Sequence, residues 1–244
     1  MINFFQKQPL IEFMTEIHDL EYDKDAIPKP AKSFMPQWWK DIPFAIDDTD
    51  LTIKACPSYP DFFASAFVMR SWVNITFEDV SDENNDLKIK KFSDSRFGHW
   101  TEHPPSQMLD YGDFKVGGRK VTMTVKAHCP WNIRTPKGYS VLQLPMTYEF
   151  NQNWSVMPGI IDTDIHPQVN QQLLIHSNGE DIVIKKGEPL AMYIPFKREK
   201  WKNIIKTVNH DEYHYLQDKS FRIVSKHPKG GGYREMQRER DKDK

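Results

Sequence analysis

Apolar and polar residues alternate along much of the chain between residues 121 and 196, and this period of two is typical of half-buried β-strands. The segment PWNIRTPKG predicts the connection between the first two of these strands. A Ser-Asn-Gly turn and the Lys186-Gly187 turn predict that the last three strands form a hairpin meander. The predicted strands are Val121–Lys126, Tyr139–Pro145, Gln171–His176, Asp181–Ile184 and Leu190–Phe196.

The same alternation occurs earlier, from Phe67 to Phe77, and predicts two strands around a turn. A helical turn is predicted just before them, over Asp61–Ala66. Residues 87–93 suit an exposed or edge strand after the turn signal Asn84-Asn85-Asp86. Residues 97–120 contain two prolines and several turn signals, which predict a long structured loop.

The two ends of the chain follow other patterns. Four prolines between Ile27 and Pro43 exclude a long helix there, and we expect Trp38 and Trp39 to cover a core edge or contact a partner. In the tail, four apolar residues share one face of a predicted helix: Trp201, Ile204, Ile205 and Val208.

The pattern therefore predicts three parts and one fold class. The parts are a proline- and aromatic-rich N-terminal wrap over residues 1–50, a β domain over 51–200, and a helix with a charged flexible tail over 201–244. The predicted fold class is mainly β, with a curled two-sheet or barrel-like domain.

Composition narrows the classes of function. The formal net charge is -1 over 244 residues, so no overall field favours nucleic acid or an anionic membrane. No run of 18 apolar residues predicts a membrane-spanning helix, and the N-terminus does not resemble a signal peptide. The two cysteines, Cys56 and Cys129, are far apart in sequence and fit a reduced, intracellular chain.

The stretch PGIIDTDIHPQVN, residues 158–170, can be interpreted as a turn or as a site. As a turn, it points Ile160 and Ile161 into the core, and its short polar side chains bond nearby backbone N–H groups. As a site, it places Asp162 and Asp164 at the lip of a ligand pocket. Arg134 in the turn NIRTPKG would share that lip, with Trp131 as a wall. Arg198, after the last strand, is a second arginine suited to bidentate anion capture.

Metal chemistry has two candidate sets. His99 and His103 are four residues apart, and with His128 and Glu102 they could ligate a metal ion, although Pro104 and Pro105 prevent a helix there. A non-haem iron enzyme needs two histidines and a carboxylate, and His210-Asp211-Glu212 supplies part of such a set in the predicted tail helix. No nucleophile elbow, P-loop or dinucleotide-binding motif occurs.

Part of the C-terminal half resembles the dUTPase and dCTP deaminase family. The motifs are GIID at residues 159–162, a strand ending in HSNG, and IVIKKGEPLAMYI; KGGGYRE at 229–235 is similar to the family's glycine-rich arm. The resemblance implies a β-clip fold and suggests trimers. Ile165-His166-Pro167 replaces the family's tyrosine-arginine-glycine, and QLPMTYEF lacks the arginine and serines that hold phosphates. We therefore take the fold, and not dUTP hydrolysis, from this resemblance.

A wider resemblance covers roughly residues 30–201. CPSYPDFFASAFVM, CPWNIRTPKGYSVLQLPM, GIIDTD and KKGEPLAMYIPFKREKW, in this order, are similar to an uncharacterised protein family of tailed phages, marine ones notably, and some bacteria. It implies phage origin and the host cytoplasm, with the virion as the alternative. It implies no reaction and no cofactor.

Three hypotheses of function follow. In the first, the protein binds a small molecule or nucleotide through a pocket of the β domain. In the second, it is a virion-associated or interaction scaffold without catalysis, whose aromatic N-terminal wrap and tail contact other subunits. In the third, it is a metal-dependent enzyme of the non-haem iron type.

Overall fold

The computed structural model describes residues 9–47, 50–79, 87–90, 99–104, 106–107, 115–116, 118–177 and 179–225, together with 233, 237, 238, 240 and 242. The predicted turn at 84–86, residues 91–93 of the predicted edge strand and most of the glycine-rich stretch 229–235 lie outside these residues. Contacts between Cα atoms divide the chain into two units. Unit 1 comprises residues 1–34 and 65–198, and unit 2 comprises 35–64 and 199–244.

The described chain contains mostly short strands. The strands are β1 Glu12–Met14, β2 Lys29–Pro30, β3 Phe67–Arg70, β4 Ile75–Asp79, β5 Leu87–Lys90, β6 Trp100–His103, β7 Lys115–Val116, β8 Arg119–Arg134, β9 Tyr139–Pro145, β10 Trp154–Val156, β11 Gly159–Ile161, β12 Gln168–Ser177, β13 Ile182–Ile184 and β14 Pro189–Lys197. The α-helices are α1 His18–Glu21, α2 Gln37–Asp41, α3 Ser58–Ala64 and α4 His210–Ser225. In the described chain, 3₁₀ helices span Ala31–Phe34 and Ile53–Ala55.

All the strands belong to unit 1 and form three sheets. The first sheet has the order β1-β8-β12-β10, with β6 and β7 also paired to β8. The second has the order β11-β9-β14-β3-β2, and the third has the order β13-β4-β5. Every pair is antiparallel. The mainly β class predicted from the sequence is confirmed, and the third, three-stranded sheet is an addition to the two that were predicted.

Strand β8 is the longest element of the first sheet, and its extent corrects a prediction. We predicted that PWNIRTPKG was a connection, but β8 runs through Trp131 to Arg134. Its inward positions continue the alternation without a break through Cys129, Trp131 and Ile133. Pro130, which has no N–H to donate, lies where the register with β12 shifts between Gln168 and Asn170. A proline is tolerated within a sheet at such an irregularity, and so the strand does not end there.

The predicted loop over residues 97–120 also contains strand structure. Within its described part, β6 pairs with β8 in the register Trp100↔Ala127 to His103↔Thr124, and β7 makes a short hairpin with the start of β8. Trp100 is buried against Trp72, with ring centroids 5.7 Å apart. The tertiary contacts of this apolar side chain outweigh the turn-forming composition around it.

The predicted hairpin meander is wrong. The strands predicted at 171–176, 181–184 and 190–196 exist as β12, β13 and β14, but each belongs to a different sheet. The turn between β13 and β14 bonds to Ser71 instead, through Gly187 N–H to Ser71 O and Ser71 N–H to Glu188 O, both 2.7 Å. Gly187 has φ +88°, which strains any residue with a side chain. This turn therefore directs β14 along β3, as its pairing shows.

A single hydrophobic core fills unit 1 and joins its sheets. The N-terminal segment contributes Leu20 and Ala26 to this core, and the indole Nε1 of Trp131 donates to Ala26 O at 3.2 Å. A buried polar chain crosses the core: Gln171 Nε2 donates to Tyr193 Oη (2.6 Å), and Tyr193 Oη donates to Gln143 Oε1 (2.8 Å). Such bonds compensate the polar groups for the loss of water and fix the strands that carry them.

Unit 2 carries α2, α3 and α4, and it corrects the predicted tail helix. Residues 201–209 contain no regular structure, and α4 begins only at His210. The side chain of Asn209 caps α4, since its Oδ1 accepts from Glu212 N at 2.8 Å. Trp201, Ile204 and Ile205 are largely exposed, so their apolar side chains are not packed. An isolated helix of this length is marginal without packing, which explains the missing turns.

Candidate functional site

The acidic stretch 158–167 lies at one end of the second sheet. Antiparallel pairing of β9 with both β11 and β14 sets Ile161 opposite Val141 and Lys197 opposite Tyr139. Asp162 therefore follows β11 beside Ser140, and Arg198 follows β14 beside Gly138. The backbone confirms the second contact, because Arg198 N–H donates to Gly138 O at 2.8 Å.

Ser140, Asp162, Asp164 and Arg198 form one hydrogen-bonded group, which we call the Arg198 cluster. The guanidinium of Arg198 binds both oxygens of Asp164, with Nη1 2.8 Å from Oδ1. Gly138 N–H adds a bond to Asp164 Oδ2 at 2.8 Å. Asp162 Oδ1 accepts from Ser140 Oγ at 2.6 Å and lies 3.1 Å from Arg198 Nη1. Bidentate arginine–carboxylate pairs of this kind are directional and strong.

These bonds fix the charge state of the Arg198 cluster. The hydrogen bond from Arg198, with the Gly138 N–H bond, lowers the pKa of Asp164 to about 2. The same bond to Asp164 raises the pKa of Arg198. A carboxylate with so low a pKa is a poor general base at neutral pH. Since Asp164 is also only 3% exposed, the cluster has the character of a structural ion pair that joins the ends of β11 and β14.

The sequence placed two further residues at this site, and the structure places them elsewhere. Arg134 makes an ion pair with Glu12 across the β1–β8 pairing. Trp131 is buried in the core, so it cannot serve as the wall of an open pocket. The predicted inward pair Ile160 and Ile161 is also split, because Ile160 is exposed and only Ile161 packs on the core. Asp162 and Asp164 both make ion pairs with Arg198, and their place at the lip of a ligand pocket stays a prediction.

The predicted histidine site lies along β6 and β8. The rings of His99 and His128 stack, with centroids 3.9 Å apart, and His128 Nε2 is 2.9 Å from Thr101 Oγ1. His103 Nδ1 bonds instead to Gln107 Oε1. Burial lowers the pKa of His128, and the charges of His99 and Lys126 lower it further. The three histidines stay a prediction as metal ligands, and no group of three or more metal-binding side chains occurs in the described part of the chain.

The remaining chemical candidates have ordinary roles. His210, Asp211 and Glu212 form the exposed first turn of α4, where Glu212 pairs with Lys206 at 3.1 Å. Burial raises the pKa of the Cys129 thiol to about 12, so this cysteine is not a nucleophile at neutral pH.

A concave site occurs at the opposite ends of β9 and β14. This cleft has a volume of about 460 Å³, within the range of small-molecule sites. It lies between the end of β9, the start of β14 and strand β10, and we call it the β10 cleft. It is lined by Pro145, Met146, Tyr148, Glu149, Phe150, Asn151, Trp154, Ser155, Val156, Glu188, Pro189 and Leu190.

The loop before β10 builds the aromatic side of this cleft. Tyr148 and Phe150 have positive φ angles of 66° and 53°, a conformation that costs free energy in residues with a side chain. Asn151 Oδ1 accepts from Asn153 N at 2.8 Å within the loop, and from Trp154 N of β10 at 3.4 Å. Arg119 Nη1 also donates to Asn153 Oδ1. Tyr148 and Phe150 of this loop line the cleft together with Trp154 of β10.

Strand β10 supplies backbone groups on the other side. It is the edge of the first sheet in the described chain, paired only with β12. His176 N–H donates to Asn153 O, and Met157 N–H donates to Gln172 O, so alternate residues of β10 face β12. The carbonyl of Trp154 and the N–H and carbonyl of Val156 therefore point away from β12.

Charge in the β10 cleft is negative. Among the described residues that line it, Glu149 and Glu188 carry charge, and none is a lysine, arginine or histidine. Glu188 Oε2 accepts from Lys185 N at 2.9 Å. The close spacing of Tyr148, Phe150 and Trp154 in the sequence was the signal from which this aromatic lining could have been predicted.

The comparisons with known proteins identify structural neighbours only. Neither a family model nor a curated protein matches the chain. A dUTPase variant from phage phi11 of S. aureus, described with a structural Mg(II) ion, is 12% identical with a TM-score of 0.35; the match covers 82% of this chain and 97% of that one. A dUTPase of Staphylococcus bacteriophage 80alpha is 11% identical with a TM-score of 0.36, at the same coverage.

A similarity this low does not bear on ligand or reaction. dUTPases, which the sequence resembles around residues 159–194, are thus among the structural neighbours, and the resemblance to an uncharacterised phage family stays a prediction. No helix in the described residues combines the length and the apolar composition needed to cross a membrane.

Proposed function

We propose that this protein binds a planar, unphosphorylated small molecule of the nucleobase or nucleoside type in the β10 cleft. The observation that carries the proposal is the grouping of Tyr148, Phe150 and Trp154 around a cleft of about 460 Å³. Aromatic side chains in a concave site bind planar rings by stacking, and they do so for any base because every base has a π face.

The edge of β10 supports the same class of ligand. A nucleobase presents donors and acceptors along one edge of its ring. The carbonyl of Trp154, which points away from β12, offers an acceptor. Asn151 and Ser155 add polar side chains to the lining. Ring stacking and edge recognition can therefore be combined in this cleft.

The charge of the lining disfavours phosphorylated ligands. A phosphate would enter a cleft whose described lining carries two carboxylates, Glu149 and Glu188, and no cationic side chain. Like charges repel, and the repulsion is greater where water is partly excluded. We therefore expect a neutral or cationic ligand. Of the two ligand classes predicted from the sequence, a small molecule and a nucleotide, we propose the small molecule.

Calorimetric titration tests this proposal with three sets of probes: free nucleobases, their nucleosides and the nucleoside 5′-monophosphates. We expect binding of at least one base or nucleoside, and binding of its monophosphate that is at least about tenfold weaker. Phe150→Ala is expected to weaken binding by about 1–3 kcal/mol, the usual cost of losing one base–aromatic stack.

Tyr22→Ala provides the matched control, since Tyr22 is an exposed aromatic residue of the N-terminal segment and does not line the cleft. Its titration should equal that of the unchanged protein. Equal affinity of the Phe150→Ala protein, or tighter binding of the monophosphates, contradicts the proposal.

A further inference from the structure

Residues 199–209, which we call the connecting segment, expose a row of large apolar side chains. Trp201, Ile204 and Ile205 are 86%, 86% and 94% exposed. With Val208 they have the spacing i, i+3, i+4 and i+7, which places them on one face of a helix. The same spacing is used by peptide helices that dock into apolar surfaces of other proteins.

The connecting segment is nevertheless not helical in this chain. Residues 201–209 have no regular structure, and the capped helix α4 starts after them. A segment of this length forms a stable helix only when its apolar face packs against something. The apolar residues are spaced for a helix, but the segment is not helical. Both observations are explained if another molecule supplies the surface against which the helix packs.

Unit 2 also exposes a second apolar surface. Residues 43–47 and 50–53 run antiparallel, held by the Ala45↔Leu51 bridge and by Ile46 N–H donating to Asp50 O at 2.8 Å. We call this pair of stretches the 43–53 hairpin. Its exposed apolar side chains are Phe44, Ile46, Leu51 and Ile53.

The two surfaces are complementary in charge. Lys200 and Lys202 flank Trp201 in the connecting segment, and both are exposed. The 43–53 hairpin carries exposed Asp47 and Asp50. The hairpin's own Lys54 is directed to the backbone, since its Nζ donates to Lys40 O at 2.7 Å and to Ile42 O at 3.0 Å. Complementary charge of this kind orients an encounter and favours one register.

We propose that the connecting segment of one copy docks, as a helix, on the 43–53 hairpin of a second copy of this chain. Within one chain both surfaces remain exposed although they belong to the same unit, so a second copy is the occupant that satisfies both at once. The contact is between different surfaces of the two copies. Such a contact closes by reciprocal exchange in a dimer or by rotation into a ring.

Light scattering after size exclusion tests this assembly with charged substitutions at exposed positions. We expect the unchanged chain to have a multiple of its 28.8 kDa mass. The segment variant Ile204→Asp/Ile205→Asp and the hairpin variant Ile46→Asp should each have the mass of a monomer. Because these side chains are at least 75% exposed, the variants should keep the strand signal in circular dichroism and a cooperative thermal unfolding, and should lose only the helical signal of the docked segment. Ile160→Asp, at a 65% exposed side chain of β11, is the matched control and should keep the assembly.

Mixing the two monomeric variants tests whether the connecting segment of one copy binds the 43–53 hairpin of the other. Each mixed pair still has one intact connecting segment and one intact 43–53 hairpin, so we expect a heterodimer of twice the monomer mass and a gain of helical signal. A monomeric unchanged chain, an assembly that persists in either variant, or a mixture that stays monomeric overturns the proposal.

Discussion

At the scale of single residues, hydrogen-bond partners decide which candidates remain available for a ligand. Asp164 looked like a pocket residue in the sequence, but Arg198 and Gly138 N–H occupy both of its oxygens. Arg134, the arginine that the sequence favoured, is paired with Glu12. A sequence shows that acids and arginines lie near turns, but the register of β9 with β11 and β14 decides which of them meet.

The Arg198 cluster predicts a specific loss of stability in acid. The folded-state pKa of Asp164, about 2, is lower than the usual value of 3.8. The resulting stabilisation is therefore fully present above pH 3.8 and is lost as the pH falls towards 2. We expect the free energy of unfolding, measured by urea titration at a series of pH values, to fall across this window, and to fall less in Asp164→Asn.

Asp211→Asn, at a fully exposed side chain of α4, is the matched control for that titration. Its pH profile should follow that of the unchanged protein. Parallel profiles for Asp164→Asn and the unchanged protein would show that Asp164 is not held by Arg198.

At the scale of elements, alternation predicts strands well and their partners poorly. The strand Tyr139–Pro145 was predicted with the bounds that it has in the structure. The alternation of β8 also continues through Pro130, but PWNIRTPKG was interpreted as the connection between two strands. Pairing of β14 with β3, more than 100 residues apart in sequence, depends on the turn at Gly187 and its bonds to Ser71. No local pattern encodes such a contact.

The extension of β8 predicts a large effect at Ile133. In a solvent-exposed connection this residue would matter little, but it is fully buried in the core of unit 1. Ile133→Ala is expected to lower the free energy of unfolding by about 2–5 kcal/mol, the usual cost of a large-to-small change in a core. Urea denaturation measures the difference.

Arg134→Ala, one position further along β8, is the control for this substitution. Its side chain is largely exposed and its ion pair with Glu12 is screened by water, so the cost should be much smaller. If Ile133→Ala lowered the free energy of unfolding no more than Arg134→Ala does, Ile133 would not be a core residue. The segment would then be an exposed connection, and the extension of β8 would be contradicted.

At the scale of the whole molecule, composition and alternation were sufficient for the mainly β class but not for the role of the N-terminal segment. We predicted a wrap over residues 1–50. In the structure, β1 pairs with β8, β2 pairs with β3, and Leu20 and Ala26 lie in the core of unit 1. Short strands of two or three residues give no periodic signal, so their pairing was not predictable.

The sequence predicted that a ligand pocket lies in the β domain, but not the residues that line the β10 cleft. The sequence favoured a pocket in the β domain, and the β10 cleft is formed by residues of unit 1. Its location depends on three segments of β9, β10 and β14 that meet only after folding. The single sequence signal was the row of aromatic residues from Tyr148 to Trp154, which turn-forming residues interrupt.

A crystal structure of the chain soaked with the tightest-binding nucleobase or nucleoside tests the central claim most directly. We predict difference density for one planar ring beside Phe150 and Trp154, with its polar edge within hydrogen-bond distance of the Trp154 carbonyl. Density at the Arg198 cluster with an empty β10 cleft would contradict the account, because the ion pair between Asp164 and Arg198 would then be the binding site.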